Sequence, residues 1–164
     1  MRVASVKQEV EFATVEVRPM NELDVPLVVA VERSAYQFPW SEGIFRDCLR
    51  VGYICRVVDV AGEMGGYGIM SVGAGEAHIL NVCIREEYRC RGFARKMLLY
   101  LLERARTAGM YEAFLEVRPS NTTAARLYHS MGFEQVGIRR GYYQATAGRE
   151  DAAVLRRILV PDLK

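Results

Sequence analysis

The sequence predicts an α+β domain, or an α/β domain with a mixed sheet, and three features of the chain carry this prediction. Strand-like and helix-like segments follow one another in the order β-α-α-β-β-β-α-β-α-β-β. Three consecutive strand-like segments are separated only by short turns that contain glycine, which is typical of an antiparallel meander. The amphipathic helix predicted over 92–108 follows them and would act as a crossover between two parallel, adjacent strands.

The first part of the chain contains one predicted strand and two predicted helices. Residues 15–18 alternate between apolar and charged side chains, as a half-buried strand does. Asn21 and Asp24 are suited to cap a helix that runs to about Ala35. Ser41 is suited to cap a second helix, and the apolar stripe of that helix is Ile44, Phe45, Cys48 and Leu49.

Three predicted strands form the meander, over 53–60, 66–72 and 76–84. Glycine at a strand end allows the backbone conformations that tight turns require. The glycines expected in the two turns are Gly62 and Gly65, then Gly73 and Gly75.

Two helices and three strands are predicted over the remaining residues. Helix 92–108 is apolar on one face, and Gly109 fits the position just past its C-terminus. Asn121 is suited to cap the next helix, which is predicted to stop at Gly132. The apolar face of the first helix is Ala94, Leu98, Leu101, Ala105 and Ala108, and the strands cover 113–117, 133–138 and 152–159.

Length and composition fit one globular domain. The chain has 164 residues, of which 51% are hydrophobic and 26% are charged, so it is long enough to bury a substantial core. We expect residues 1–14 to be a partly ordered extension and 15–164 to be a single domain. The formal net charge of +2 is too small to indicate a nucleic-acid partner.

The cysteines and histidines are scattered and give no metal-binding pattern. No C-x-x-C motif occurs, and neither His78 nor His129 lies at ligand spacing from a cysteine, so no metal is expected. Free thiols without a secretory signal pattern favour a cytoplasmic protein. No apolar run approaches the roughly twenty residues that a membrane helix needs.

A basic, glycine-containing segment joins the strand-like run 79–84 to helix 92–108. This basic loop, residues 89–94, has the sequence R-C-R-G-F-A. Helix N-termini offer free N–H groups and positive potential, so the loop is suited to hold a phosphate. Walker and dinucleotide fingerprints are both absent. On the loop alone, a simple turn is an equally good interpretation.

Three further motifs, together with the basic loop, resemble the RimI-type ribosomal-protein-alanine N-acetyltransferases of the GNAT superfamily. The first is F-P-W-S at 38–41. The second is L-E-V-R-P-S-N at 115–121, followed by A-A-R-L-Y and M-G-F. The third is I-R-R-G-Y-Y at 138–143, leading to G-R-E-D-A. Two positions depart from the family pattern: Ala94 replaces the commoner glycine, and Cys90 replaces a polar or basic residue.

The resemblance implies the GNAT fold over nearly the whole chain and direct acetyl transfer from acetyl-CoA, without a covalent enzyme intermediate. The implied acceptor is the N-terminal alanine of a small-subunit ribosomal protein. A GNAT enzyme acting on a protein lysine or a small-molecule amine is one alternative. A non-catalytic acyl-CoA sensor is an alternative from a different class. No direct contact with nucleic acid or membrane is implied.

The resemblance also assigns residues to the acetyl-CoA site. Backbone groups of Val82, Cys83 and Ile84 would pair with the pantetheine arm, provided that the sheet opens beside them. Asn121 would hydrogen-bond the pantetheine, although a plain helix cap is an equally good role for it. The pyrophosphate would lie against Arg89, Cys90, Arg91, Gly92, Phe93, Ala94 and Arg95.

Glu116 and Tyr128 are the predicted catalytic residues. Glu116 would act as the general base, and an apolar setting would raise its pKa; a surface ion pair is the alternative. Tyr128 would protonate the leaving thiolate, although it also fits a core stripe on its helix. The acceptor peptide would lie against Phe38, Trp40, Tyr142 and Tyr143, and Glu32 is a further hypothesis for contact with a cationic terminus.

Overall fold

The computed structural model describes residues 14–160, which contain seven strands and four α-helices in the predicted order. The predicted fold class is confirmed. All but Thr14 of the predicted N-terminal extension lies outside the described residues. The elements are β1 (Val15–Pro19), α1 (Val25–Ala35), α2 (Glu42–Arg50), β2 (Ile54–Val60), β3 (Glu63–Gly73), β4 (Glu76–Ile84), α3 (Phe93–Thr107), β5 (Glu112–Val117), α4 (Thr122–Ser130), β6 (Glu134–Gln144) and β7 (Arg149–Ile158).

The strands form a mixed sheet in the order β1-β2-β3-β4-β5-β7-β6. The pairs β1–β2, β5–β7 and β6–β7 are antiparallel, whereas β4 and β5 are parallel, which confirms the predicted crossover. The β4–β5 register comprises three residue pairs, from Glu76↔Glu112 to His78↔Phe114. Pairing therefore stops six residues before the end of β4 at Ile84 and three before the end of β5 at Val117.

The described residues divide into two compact units. The first unit consists of residues 14–69 and 81–98, and the second consists of residues 70–80 and 99–160. No helix among residues 14–160 is both long enough and apolar enough to cross a membrane.

Of the two predicted helix caps in the first unit, only the cap of α2 opens its helix directly. Asn21 and Asp24 form a capping box, but the box opens a short 3-10 turn at 22–24 and not α1 itself, which starts at Val25. Ser41 accepts a hydrogen bond from Ile44 N, as predicted for α2. These elements cover a buried core whose largest members include Tyr67, Phe45, Ile69, Val25 and Val28.

The two turns of the meander are tighter than the glycine pattern indicated. The central residues of the first are Ala61 and Gly62, with φ of 52° and 89°, and those of the second are Ala74 and Gly75, with φ of 52° and 80°. Two successive positive φ angles define a type I′ turn, which joins antiparallel strands with two residues. Gly65 and Gly73 therefore lie within β3 and not in the turns.

Gly66 lies where β3 passes unusually close to β4. A Cβ at this position would lie 2.5 Å from the Cys83 carbonyl oxygen and 2.6 Å from Ile84 Cδ1. We expect Gly66→Ala to lower the free energy of unfolding by about 2 kcal/mol, because a backbone oxygen cannot move aside as a flexible side chain does. Urea unfolding followed by circular dichroism measures this change.

Gly43→Ala is the matched control for this substitution. A Cβ at Gly43 would meet nothing closer than Ser41 Oγ at 3.7 Å, and the residue is exposed on α2. Alanine in a helix is favoured over glycine by up to about 1 kcal/mol, so this variant should be at least as stable as the parent. Equal stability of the two variants would contradict the close-approach argument.

In the second unit, the strands and helices form where predicted, but the last two strands, β6 and β7, are longer than predicted. Gly109 and Gly132 have φ of 83° and 86° and end α3 and α4, as predicted. Ala108 is exposed, so the predicted apolar face of α3 stops one turn earlier. β6 and β7 extend into a hairpin with register shifts at Gln135/Gly137 and Arg139/Tyr143. The core of this unit includes Leu101, Ala113, Leu115, Phe133 and Leu155.

Candidate active site

The predicted site residues are divided between the two units. The first unit contains the aromatic loop (residues 38–41), the β4 segment Val82–Ile84 and the basic loop. The second unit contains Glu116, Asn121, Tyr128, Tyr142 and Tyr143.

The basic loop is shaped by two left-handed residues and leads directly into α3. Cys90 has φ of 61° and Gly92 has φ of 79°. Lys96 N donates to the Gly92 carbonyl at 3.0 Å, and the amides before it in the first turn have no intrahelical acceptor. Such amides favour an anion. Ala94 is the second residue of α3, and helical backbone does not require glycine, so alanine is tolerated at this position.

Arg89 fixes the basic loop to the end of β4. Its Nε donates to the Ile84 carbonyl at 3.0 Å, while the side chain is exposed. Tyr88, just before it, donates its hydroxyl to Glu63 Oε2 at 2.6 Å, and its ring lies 6.2 Å from that of Phe93. The position of the loop is therefore set by contacts on both sides of Arg89.

The segment Val82–Ile84 lies beyond the part of β4 that pairs with β5. Cys83 and Ile84 have buried side chains, and burial raises the pKa of the Cys83 thiol, which keeps it neutral. The Val82 carbonyl accepts a hydrogen bond from the Tyr36 hydroxyl at 3.4 Å. An extended strand segment that has left its parallel neighbour has backbone groups suited to pair with an extended ligand.

Glu116 is held by an imidazole and a guanidinium, and the imidazole partner is not predicted from the sequence. His78 Nε2 lies 2.6 Å from Glu116 Oε2, and Arg139 Nε lies 3.3 Å from Oε1. The Glu116 side chain is 7% exposed, whereas that of His78 is 35% exposed. The parallel register could have indicated the pair, because Phe114 opposite His78 lies on the same strand face as Glu116.

The expected rise in the pKa of Glu116 is wrong. Burial does raise the pKa, but the hydrogen bond from His78 and the charges of His78 and Arg139 outweigh it, so the pKa lies below its ordinary value of 4.5. Glu116 is therefore ionised at neutral pH. An ionised carboxylate only accepts hydrogen bonds, so His78 Nε2 carries the hydrogen and a neutral His78 keeps its lone pair on Nδ1.

The ring of Tyr128 packs against a neighbouring aromatic ring, in keeping with its alternative role in a core stripe. Its ring lies 6.0 Å from Phe133 in an edge-to-face contact. Within residues 14–160, the structure gives this hydroxyl no hydrogen-bond partner. Burial raises the pKa of Tyr128 to about 12, so the hydroxyl stays protonated.

Asn121 is a helix cap, and the turn before it is anchored by Glu150. Asn121 Oδ1 accepts from Ala124 N at 3.2 Å, which confirms the capping alternative. Glu150 accepts from Ser120 N at 3.1 Å and from Ser120 Oγ at 3.0 Å, and it also pairs with Arg118 at 3.2 Å. These contacts hold the segment between β5 and α4 in place.

Tyr142 and Tyr143 form an aromatic and basic cluster on the β6–β7 hairpin. Their rings lie 4.8 Å apart, edge to face. The Arg118 guanidinium lies 4.3 Å from the centre of the Tyr143 ring, and that of Arg139 lies 5.5 Å from the Tyr142 ring. Tyr142 is exposed and Tyr143 is half-buried, so the two rings differ in their access to a ligand.

The aromatic loop combines one exposed and one half-buried ring. Phe38 is exposed, whereas the Trp40 ring is half-buried and lies 5.4 Å from the Phe45 ring. Glu32 is 2% exposed and accepts hydrogen bonds from protein groups on both oxygens. The hypothesis that Glu32 meets a cationic peptide terminus is therefore wrong, because its carboxylate faces the interior.

The described part of the chain contains no cluster of side chains suited to bind a metal ion. Among residues 14–160, no group of three or more His, Cys, Asp or Glu side chains is arranged to hold a metal ion. The four cysteines are free, and only Cys90 is exposed.

Several characterised proteins are similar to this chain in sequence and in fold. The model of the Acetyltransferase (GNAT) family matches residues 20–133. The [ribosomal protein bS18]-alanine N-acetyltransferase of Escherichia coli (strain K12) is 36% identical over 132 residues, covering 80% of this chain and 89% of the relative. The enzyme of the same name from Haemophilus ducreyi is 30% identical over 134 residues, covering 82% of this chain and 92% of the relative.

A solved structure agrees with these matches. The crystal structure of the ribosomal-protein-S18-alanine N-acetyltransferase from Escherichia coli has a TM-score of 0.84 at 31% identity, covering 92% of this chain and 97% of that chain. The resemblance inferred from the motifs, and the enzyme class that it implied, are confirmed. This chain therefore belongs to the acetyltransferase (GNAT) family.

Proposed function

We propose that this protein acetylates the N-terminal alanine of a small-subunit ribosomal protein, the counterpart of bS18, with acetyl-CoA as the donor. The proposed chemistry rests on one observation. The buried Glu116 carboxylate is hydrogen-bonded to the His78 imidazole, with 2.6 Å between Oε2 and Nε2. The identity of the acceptor rests on the relatives named for this activity, which match about four-fifths of the chain.

The basic loop and the end of β4 would hold acetyl-CoA. The N-terminal amides of α3, with Arg91 and Arg95 nearby in sequence, suit a pyrophosphate. Arg89 has one nitrogen committed to Ile84 and can offer its remaining guanidinium donors. Val82–Ile84 suit the extended pantetheine arm, and Asn121 would contribute its side-chain amide. When bound, acetyl-CoA supplies the acetyl group as an activated thioester.

Glu116 and His78 would accept the amine proton as a unit. An α-amino group has a pKa near 8, so roughly a tenth of it is already neutral at pH 7. His78 Nδ1 has the lone pair that takes the proton, and imidazole exchanges protons near neutral pH. Glu116 then stabilises the imidazolium through Nε2, as an orienting carboxylate does for a catalytic histidine.

Tyr128 would donate its hydroxyl hydrogen to the sulfur that leaves. The hydroxyl is protonated and has no competing partner among the described residues, so it is available to a developing negative charge. Phe38, Trp40, Tyr142 and Tyr143 remain the residues expected to contact a small first residue of the peptide.

Mass spectrometry of a peptide pair tests the proposal. One peptide begins with a free alanine and contains an internal lysine, and its control has the same sequence with a blocked N-terminus. We expect one acetyl group on the alanine of the first peptide and none on the control. Acetylation of lysine alone would contradict the proposed acceptor, and acetyl-CoA binding without transfer to either peptide would indicate a sensor.

A further inference from the structure

We propose that Glu32 is a positioning residue that couples the aromatic loop to the acetyl-CoA-binding segment of β4. This inference deepens the proposed function and rests on it for the identity of the two ligands. The residues involved all lie in the first unit.

Three donors from three parts of the chain converge on the Glu32 carboxylate. Oε1 accepts from the Trp40 backbone N–H at 3.2 Å. Oε2 accepts from the Tyr67 hydroxyl at 2.5 Å and from Asn81 Nδ2 at 3.1 Å. Glu32 on α1 therefore joins the aromatic loop, strand β3 and strand β4 through one buried group.

Packing alone does not explain a carboxylate at this position. Burying a charged group is costly unless hydrogen bonds replace its water, and an apolar side chain would fill the same space without that cost. A fully satisfied polar network, in contrast, fixes the relative positions of its members. The aromatic contacts of Trp40 with Phe45 at 5.4 Å and of Phe45 with Tyr67 at 5.7 Å run beside the same connection.

The two ends of this connection adjoin the two predicted ligands. Asn81 directly precedes Val82–Ile84, the segment expected to pair with pantetheine. Trp40 lies in the aromatic loop, which is expected to contact the peptide. Tyr36 adds a parallel link, because its hydroxyl donates to the Val82 carbonyl at 3.4 Å. Acetyl-CoA bound along β4 would thus bias the aromatic loop toward its peptide-binding position.

Trp40 is the only tryptophan in the chain, so its fluorescence reports directly on the aromatic loop. In Glu32→Met, which keeps the side-chain length but removes every acceptor, acrylamide should quench Trp40 more strongly than in the parent. Glu32→Gln should restore most of the parental quenching, because one amide oxygen can still accept from Trp40 N. Glu42→Gln, an exposed glutamate at the start of α2, is the matched control.

Asn81→Leu tests the link from Glu32 to β4 separately from the link between Glu32 and the aromatic loop. It keeps the bond between Glu32 and Trp40 and removes only the link to β4. The basal quenching of Trp40 should stay parental, whereas the fluorescence change that acetyl-CoA induces in the parent should be lost. Calorimetric titration with acetyl-CoA checks that this variant still binds the donor.

Kinetics distinguish positioning from a general structural role. For Glu32→Met we expect the peptide KM to rise about tenfold with a smaller change in kcat, because only one of the three lost hydrogen bonds, that from Trp40 N, holds the aromatic loop. Parental quenching in a folded Glu32→Met variant would overturn the inference, whether or not the protein is an acetyltransferase of alanine. Failure of the parent to bind acetyl-CoA would instead refute the proposed function.

Discussion

Glu116→Gln is expected to lower kcat for peptide acetylation about 10³-fold, within the range of general acid–base catalysis. Glutamine keeps the size of the side chain but removes the charge that holds His78 at 2.6 Å. Without that charge an imidazolium at His78 is no longer stabilised, so the amine proton has no good acceptor. Steady-state kinetics with the alanine peptide measure the loss.

Glu112→Gln is the matched control for this variant. Glu112 lies on the same strand, two alternations before Glu116, and pairs with Arg156 at 3.4 Å. It has no contact with His78 among those described, so the kcat of the variant should stay within about twofold of the parent, since a partly exposed ion pair contributes little. Equal rates for the parent and the folded Glu116→Gln variant would refute the proton-accepting role.

The pH dependence of the parent should reflect the low pKa of Glu116. Because the folded pKa lies below 4.5, the carboxylate stays ionised throughout the neutral range, so protonation of Glu116 should cause no change in rate between roughly pH 6 and pH 8. A carboxylate whose pKa is lowered by folding stabilises the protein at pH values above its unfolded pKa. This stabilisation is lost as the pH falls through the folded pKa. Glu116→Gln should accordingly lose less stability on acidification than the parent, and urea unfolding at a series of pH values measures the difference.

Tyr128→Phe is expected to lower kcat about 10²-fold, the loss typical of removing one hydrogen-bond donor to developing negative charge. Phenylalanine keeps the ring that lies against Phe133, so the fold should be preserved. The Tyr128 pKa of about 12 ensures that the hydroxyl is protonated across the working pH range. The loss should therefore be nearly independent of pH up to about pH 9.

Variation of the leaving group tests why Tyr128 matters. An acetyl thioester of a more acidic thiol needs less help to expel its sulfur, so the ratio of parent to variant rates should shrink with that donor. Tyr111→Phe, which changes an exposed tyrosine of the same unit, serves as the control. A rate ratio that is the same for both donors would mean that Tyr128 acts by packing alone.

Local signals were sufficient to predict most of the fold. Ser41 and Asn121 cap α2 and α4 as expected, because a cap depends on residues three positions away. The glycine pattern was less informative in the meander. The glycine pattern predicts Gly65 in a turn, but Gly65 lies inside β3, since the tight turns use Ala61 and Ala74 at positive φ.

The site was predicted unevenly for the same reason. Glu116 was identified from its motif, but its partner His78 is 38 positions away and meets it only through the parallel pairing of β4 and β5. The expected rise in pKa considered burial without these partners. The sequence suggests contact between Glu32 and a cationic peptide terminus, but its three donors, the most distant 49 positions away, are brought to it only by the fold.

The sequence by itself determined which segments become helices and strands, where a basic loop opens a helix, and which motifs relate the chain to the GNAT acetyltransferases. These properties depend on neighbours within a few residues or on residues quoted in order. Tertiary structure alone decided the ionisation of Glu116, the proton position on His78 and the interior place of Glu32. Charge in a protein responds to every dipole and ion within a few ångströms, and strand pairing brings those groups together from distant parts of the chain.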